Sequence, residues 1–177
     1  GGVGSWVGLF AALAGATVIH AYDPDQVEIT NLARTPYTRL DIGSNKTQAL
    51  ARVIARVRPE VQIFTYEEGV PKDVTLLKGV IFDCTDSTEA QTMLASAKLG
   101  NRLVRAGCDG WHVTAKLNPV QAFSADDDDP ERGYRTPSWV GTSALAAALA
   151  VTAPIRPYLA ASGNLGETID VIQLTTS

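Results

Sequence analysis

Between Asp23 and Lys46 the chain reads DPDQVEITNLARTPYTRLDIGSNK, and a glycine turn, GGVGS, precedes it at Gly1–Ser5. A glycine turn that opens an apolar helix lets backbone approach phosphate, because no Cβ intervenes and the first helical N–H groups lack partners. An acid that ends the next apolar run accepts ribose hydroxyls in such units, and Asp23 stands roughly 20 residues beyond the glycines, where that acid falls. Asn31, Arg34 and Lys46 then place an amide and two cations downstream of the carboxylate. A site that handles a triphosphate needs such a set, whereas one that cradles a dinucleotide does not. The residues therefore point to ATP chemistry.

Those residues need a frame. Gly4 and Ser5 lead into WVGLFAALAGA, which has almost nothing polar and predicts a helix over Ser5–Ala14, buried against a sheet. Thr17–Tyr22 is a β-branched apolar run that reads as the strand ending at Asp23, and His20 within it reads as a strand histidine rather than a catalyst. Pro24–Leu40 has no helical period, and Pro36 limits any helix, so this segment reads as a functional loop. In Gly43–Arg58, residues Ala49, Leu50, Val53, Ile54 and Val57 mark one helical face, Arg52, Arg56 and Arg58 mark a solvated one, and Pro59 marks the stop. Val61–Tyr66 alternates as a strand. Gly79–Asp83 suits a buried parallel strand, and the TDST that follows caps a helix to about Leu99 through Ser87 or Thr88. Asn101–Ala106, Trp111–Leu117 and Thr168–Leu174 read as further strands, and Gly141–Ala153 as a compact alanine-rich helix.

This alternation predicts an α/β fold, a Rossmann-like, doubly wound, mostly parallel sheet with helices on both faces. A single domain over 1–177 is expected, with an acidic surface loop at 124–138 whose consecutive Asp126–Asp129 keep it extended. A βαβ unit needs a strand before its glycine turn, so an N-terminal strand is expected upstream of Gly1, in a longer natural chain.

Composition narrows the classes. With 45% hydrophobic residues, 19% charged and a net charge of -4, the chain reads as a soluble globular protein without a broad basic surface for nucleic acid. Cys84 and Cys108 have no CxxC partners, so no zinc site built on cysteine pairs is expected, and a reducing, cytoplasmic setting is the default. No run reaches the ~18 apolar residues of a membrane span.

Taken in order, GGVGS, YDPDQVEITNLAR, DIGSNK and FDCTD resemble the ThiF/MoeB/E1 superfamily, the ubiquitin-activating-type adenylyltransferases. The four motifs cover Gly1 to about Gly110, and PSWVGTSALAAALA is weakly similar to a later glycine-helix segment of that family. The resemblance implies activation of the C-terminal carboxylate of a ubiquitin-like or sulfur-carrier protein ending in Gly-Gly, by attack on the α-phosphate of ATP. It implies that Gly1, Gly2 and Gly4 approach the phosphates, that Asp23 binds the ribose, and that Asn31, Arg34 and Lys46 bind phosphates and stabilise developing charge. It further implies that Asp86 holds Mg2+ and that the protein is a homodimer. Asp25 is secondary in this reading.

The chain departs from the family pattern at Thr35, where glutamine is frequent, and at Ser87 and Gln91, which replace an asparagine and an arginine. The loss at Gln91 is expected to remove a cation from the neighbourhood of the site. A thioester on Cys108 is a weak expectation, because Asp109 beside it disfavours a thiolate. Other readings compatible with the residues are a tRNA-modifying ATP-dependent dehydratase of the same fold, an NAD-dependent oxidoreductase and an inactive nucleotide-binding module. In the NAD reading Arg34, Lys46 and Asp86 have no task.

Overall fold

A computed structural model describes residues 1–110, 112–120 and 139–154. The acidic loop at 124–138 and the strand expected at Thr168–Leu174 lie outside the described residues.

Helix α1 spans Gly2–Leu13 and enters straight from the glycine turn. Strand β1, Val18–Tyr22, runs parallel to β2, Gln62–Tyr66, and helix α2, Lys46–Val57, connects them on the same side as α1. Strand β3, Ile81–Asp83, runs parallel to β4, Leu103–Asp109, through helix α3, Thr88–Ser96. Strand β5, His112–Leu117, returns antiparallel beside β4, and helix α4, Val140–Thr152, packs on both of these strands and on α1. The mixed, mostly parallel α/β architecture agrees with the expectation. The described strands nevertheless form two sheets, β1-β2 and β3-β4-β5, rather than one. Helix α1 touches β1, β3 and β4 and so lies across both.

The packing explains how α1 does this. Its N-terminal half presents Val3 and Val7 to Val104, Ala106, Ala146 and Ala147, while Ala12 at its other end joins Val27, Leu50 and Ile54. Alanines at 146, 147 and 150, all fully buried, let α4 approach α1 closely. Gly8 does the same for α2, since a Cβ there would stand 2.7 Å from Leu50 Cδ2. Burial of a side chain such as Ile54, completely enclosed, contributes roughly 2 kcal/mol. A third cluster, Val74, Leu94 and Leu103, covers the outer side of β4.

The capping residues set the helix starts. Asn45 precedes α2 and accepts the Thr47 N–H at 2.9 Å, and Ser87 precedes α3 and accepts the Ala90 N–H at 3.2 Å. The loop between β1 and α2 is more ordered than expected, with 3-10 turns at Ile29–Ala33 and Arg39–Asp41. Arg52 is not simply on a solvated face. Its guanidinium binds the buried Asp41 carboxylate at 3.0 Å, and this ties the loop down onto α2.

Candidate active site

The glycine turn and the end of β1 meet. The Gly1 nitrogen, a terminal ammonium in this chain, lies 2.8 Å from Asp23 Oδ2, while Asp23 Oδ1 accepts the Asp25 N–H at 3.0 Å and shapes the turn around Pro24. Asn45 Nδ2 donates to the Asp23 carbonyl at 3.2 Å, so the first residue before α2 is fastened to the end of β1. A carboxylate thus stands beside the first turn of α1, whose open N–H groups favour anions.

Arg34 comes to the same place. A Cβ on Gly2 would lie 3.3 Å from Arg34 Cδ and 3.2 Å from Ser143 Oγ, so the guanidinium arm and the first turn of α4 both crowd the glycine turn. Trp6 Nε1 donates to the Arg34 carbonyl at 3.0 Å, and the Arg34 N–H donates to the Asn31 carbonyl at 3.0 Å. Asn31 itself is buried, with Oδ1 accepting the Glu28 N–H at 3.0 Å. Its carboxamide oxygen is therefore occupied in shaping the loop that carries Arg34. Thr35 is buried and donates to the Asn31 carbonyl at 2.8 Å, a local task that suits a short hydroxyl.

Lys46 is held by Asp25. Nζ lies 2.6 Å from Asp25 Oδ2, and the Lys46 backbone N–H donates to the Asp25 carbonyl at 2.9 Å. The hydrogen bond from Lys46 keeps the Asp25 carboxyl below the usual carboxylate range against a smaller opposing effect of burial. An ammonium has three N–H groups, so this bond leaves donors for a phosphate. Tyr37 buttresses the same residue through its hydroxyl, which donates to the Lys46 carbonyl at 3.1 Å. Burial raises the Tyr37 phenol, and the nearby Asp23 and Asp41 charges add to the rise. Tyr37 is thus a neutral donor.

Asp86 stands apart. It is exposed beyond the end of β3, and among the described residues none of the other candidates is bonded to it. Its loop still borders the glycine helix, since a Cβ on Gly4 would be 3.5 Å from Cys84 Cβ. Among the described residues no three His, Cys, Asp or Glu side chains gather as a metal cluster. An ion here would draw on the Asp86 carboxylate, with water and phosphate oxygens completing its shell, which is the habit of Mg2+.

Behind Asp86 lies a buried ion pair that belongs to none of the four sequence motifs as a pair. Arg105 Nε donates to Asp83 Oδ2 at 2.7 Å, and both side chains are fully enclosed. Asp83 Oδ1 accepts the Thr85 hydroxyl at 2.8 Å, Gln91 Nε2 donates to the Thr85 carbonyl at 2.8 Å, and Arg105 Nη2 donates to the Gln91 carbonyl at 2.6 Å. Gln91, where the family pattern has a cation, spends its amide and its carbonyl on this circuit. The guanidinium of the circuit comes from β4 and is fully enclosed against Asp83.

The two thiols differ. Cys84 packs on the core, and burial, with the Asp83 charge, pushes it up to about 12. Cys108 Sγ lies 3.7 Å from Ser143 Oγ. His20 is exposed and stacks on Phe64 with ring centroids 4.9 Å apart, the setting of a strand residue.

A model of the ThiF family matches residues 1–153. The sulfur carrier protein ThiS adenylyltransferase of Escherichia coli (strain K12) is 28% identical over 155 residues, which cover 80% of this chain and 62% of that protein. Among solved structures, the E. coli tRNA N6-threonylcarbamoyladenosine dehydratase TcdA in complex with AMP is similar at 18% identity and a TM-score of 0.72, over 93% of this chain and 85% of that one. E. coli MccB with ATP is similar at 20% identity and a TM-score of 0.69, over 86% of this chain and 51% of that one. The chain thus spans less than two thirds of the ThiS adenylyltransferase and about half of MccB. At these identities the structural likenesses show the fold. Among the described residues no helix is long and apolar enough to cross a membrane.

Proposed function

Because the chain belongs to the ThiF family, we propose that it is an ATP-dependent adenylyltransferase that activates the C-terminal carboxylate of a ubiquitin-like or sulfur-carrier protein. One observation carries this reading most. The Arg34 arm lies over Gly2, and Lys46 is fixed by Asp25, whose own N–H is bonded to the ribose-type acid Asp23, so both cations are tied to the residues of the candidate nucleotide site. A triphosphate and the pyrophosphate that leaves it give both cations a task, whereas the pyrophosphate of a dinucleotide carries less charge and has no leaving group to stabilise.

In the reaction a carboxylate oxygen of the partner attacks the α-phosphorus of ATP. A carboxylate-to-phosphorus bond forms, the bond from that phosphorus to the bridging oxygen breaks, and the electron pair leaves on pyrophosphate. Asp23 would hold the ribose hydroxyls and so fix where the α-phosphate falls. The N–H groups at the start of α1 would face the phosphate chain. Arg34 and Lys46 would stabilise the negative charge that grows on the equatorial and leaving oxygens, and both are positioned before the charge develops. Asn31 would act on this reading through the loop it shapes and would offer its amide nitrogen to phosphate. Mg2+ held by Asp86 would supply neutralisation of phosphate charge. The reading includes a homodimer, a partner ending in Gly-Gly and a cytoplasmic setting.

A second reading is favoured by one observation, the coverage of TcdA in both directions, 93% of this chain and 85% of that one. The carboxylate would then belong to a modified tRNA nucleoside. ATP–pyrophosphate exchange with the full-length protein separates the two. Exchange that depends on a sulfur-carrier protein with an intact Gly-Gly end supports the first reading. Exchange that depends on tRNA carrying N6-threonylcarbamoyladenosine supports the second, and ATP binding without exchange for either would sink both.

A further inference from the structure

The loop that carries Asp86 is built around a charge it does not itself contain. Asp83 ends β3, and its two oxygens are divided between Arg105 on one side and the Thr85 N–H and hydroxyl on the other, at 3.2 and 2.8 Å. Arg105 reaches on to the Gln91 carbonyl in α3, and Gln91 returns to the Thr85 carbonyl. This circuit joins β3, β4, the Asp83–Ser87 turn and the first turns of α3. A residue two positions beyond Asp83 and one position before Asp86 is thus gripped at its N–H, its hydroxyl and its carbonyl.

A buried ion pair is a poor device for stability alone. Removing two charges from water costs several kcal/mol per ion, and packed apolar residues of similar size frequently serve as well. A guanidinium has a further property, a planar fork that can bind two acceptors in fixed relative directions. Arg105 uses it in this way, with Nε on Asp83 and Nη2 on Gln91. Resting on the reading of Asp86 as the carboxylate that serves Mg-ATP, we propose that Arg105 is a positioning residue. It aims the Thr85–Ser87 turn, and thereby Asp86, although its own side chain is fully buried and does not touch substrate.

Arg105→Lys tests this in the full-length protein, because lysine keeps the buried charge opposite Asp83 but cannot span Asp83 and the Gln91 carbonyl together. Two quantities are read. The first is amide hydrogen exchange without nucleotide. Protection at Thr85, Ala90 and Gln91, whose N–H groups are bonded to Asp83 and Ser87, is expected to fall by about tenfold, while Leu50 and Val53 in α2 keep theirs. The second is the Mg2+ concentration that half-saturates the enhancement of ATP binding, expected to rise by about tenfold, the usual scale for disturbing the partners behind a metal ligand. A lysine variant with wild-type loop exchange and wild-type Mg2+ dependence overturns the positioning role. Failure of the wild type to bind ATP overturns instead the reading of the site, and the exchange measurement still decides whether Arg105 holds the turn.

Discussion

Lys46 is bonded to Asp25 at both its backbone and its side chain, N–H to carbonyl at 2.9 Å and Nζ to carboxylate at 2.6 Å. The Lys46 side chain is 12% exposed and that of Asp25 64%, so the acid lies on the water side and the ammonium beneath it. The pair determines where the second cation of the site points, and it makes Asp25 more than a turn former.

The Asp25→Ala variant should therefore lower kcat of ATP–pyrophosphate exchange by about tenfold, as expected for loss of a group that orients a phosphate ligand, with ATP affinity changed less. The Asp25 pKa is lowered in the fold, so the pair's stabilisation is complete above the ordinary carboxylate value of 3.8 and is lost as pH falls through the lowered one. Steady-state kinetics on the variant checks the first point. A kcat equal to the wild type would show that Lys46 needs no such support.

The Asp86→Ala variant should lose Mg2+-dependent turnover and keep its fold. The residue is exposed, and surface substitutions of this kind usually change stability by less than about 0.5 kcal/mol. Exchange kinetics at varied Mg2+, read beside a urea melt, decides it, and unchanged activity would remove the metal assignment.

Two glycines separate function from packing. A methyl on Gly2 meets Arg34 Cδ and Ser143 Oγ at 3.3 and 3.2 Å, so Gly2→Ala should weaken ATP binding by displacing the arginine, with little effect on stability. At Gly8 the neighbour is Leu50, only 2.7 Å away in the core, so Gly8→Ala should cost about 1–3 kcal/mol of stability through overpacking. Urea denaturation and ATP titration on both variants test the contrast.

The Cys84 thiol gives a prediction on pH. Its pKa rises in the fold from 9.0 to about 12, so the folded state holds the proton more tightly than the unfolded chain does. The resulting stability is complete below 9.0 and is lost progressively as pH rises towards about 12. Cys84→Ala should flatten that part of the denaturation profile, and Cys84 should resist alkylation until the chain unfolds.

Much of the frame is legible in the sequence, because local patterns carry it. In α2 the apolar spacing at Ala49, Leu50, Val53 and Ile54 marks residues that are all buried. Val57 continues the same period and is 49% exposed, since it sits in the last turn where the helix leaves the core. The convergence of the glycines, Asp23 and Arg34 was open to a reading by motif because each lies in a short, ordered stretch. The supports of that site were not. Arg52 with Asp41 and Lys46 with Asp25 depend on a loop folding back over α2, and Tyr37 reaches Lys46 only in that fold. Arg105 did leave a signal. A charge inside the apolar run RLVRAG needs a buried partner, and the acid ending the neighbouring strand, Asp83, is the nearest in register.

The most direct test of the central claim follows an oxygen atom. A sulfur-carrier protein with heavy oxygen in its C-terminal carboxylate is incubated with the full-length enzyme, Mg-ATP and a nucleophile that discharges the acyl group. If the carboxylate attacks the α-phosphorus, one labelled oxygen must appear in the phosphate of the released AMP. AMP formed without label, while the carboxylate is consumed, would contradict the account.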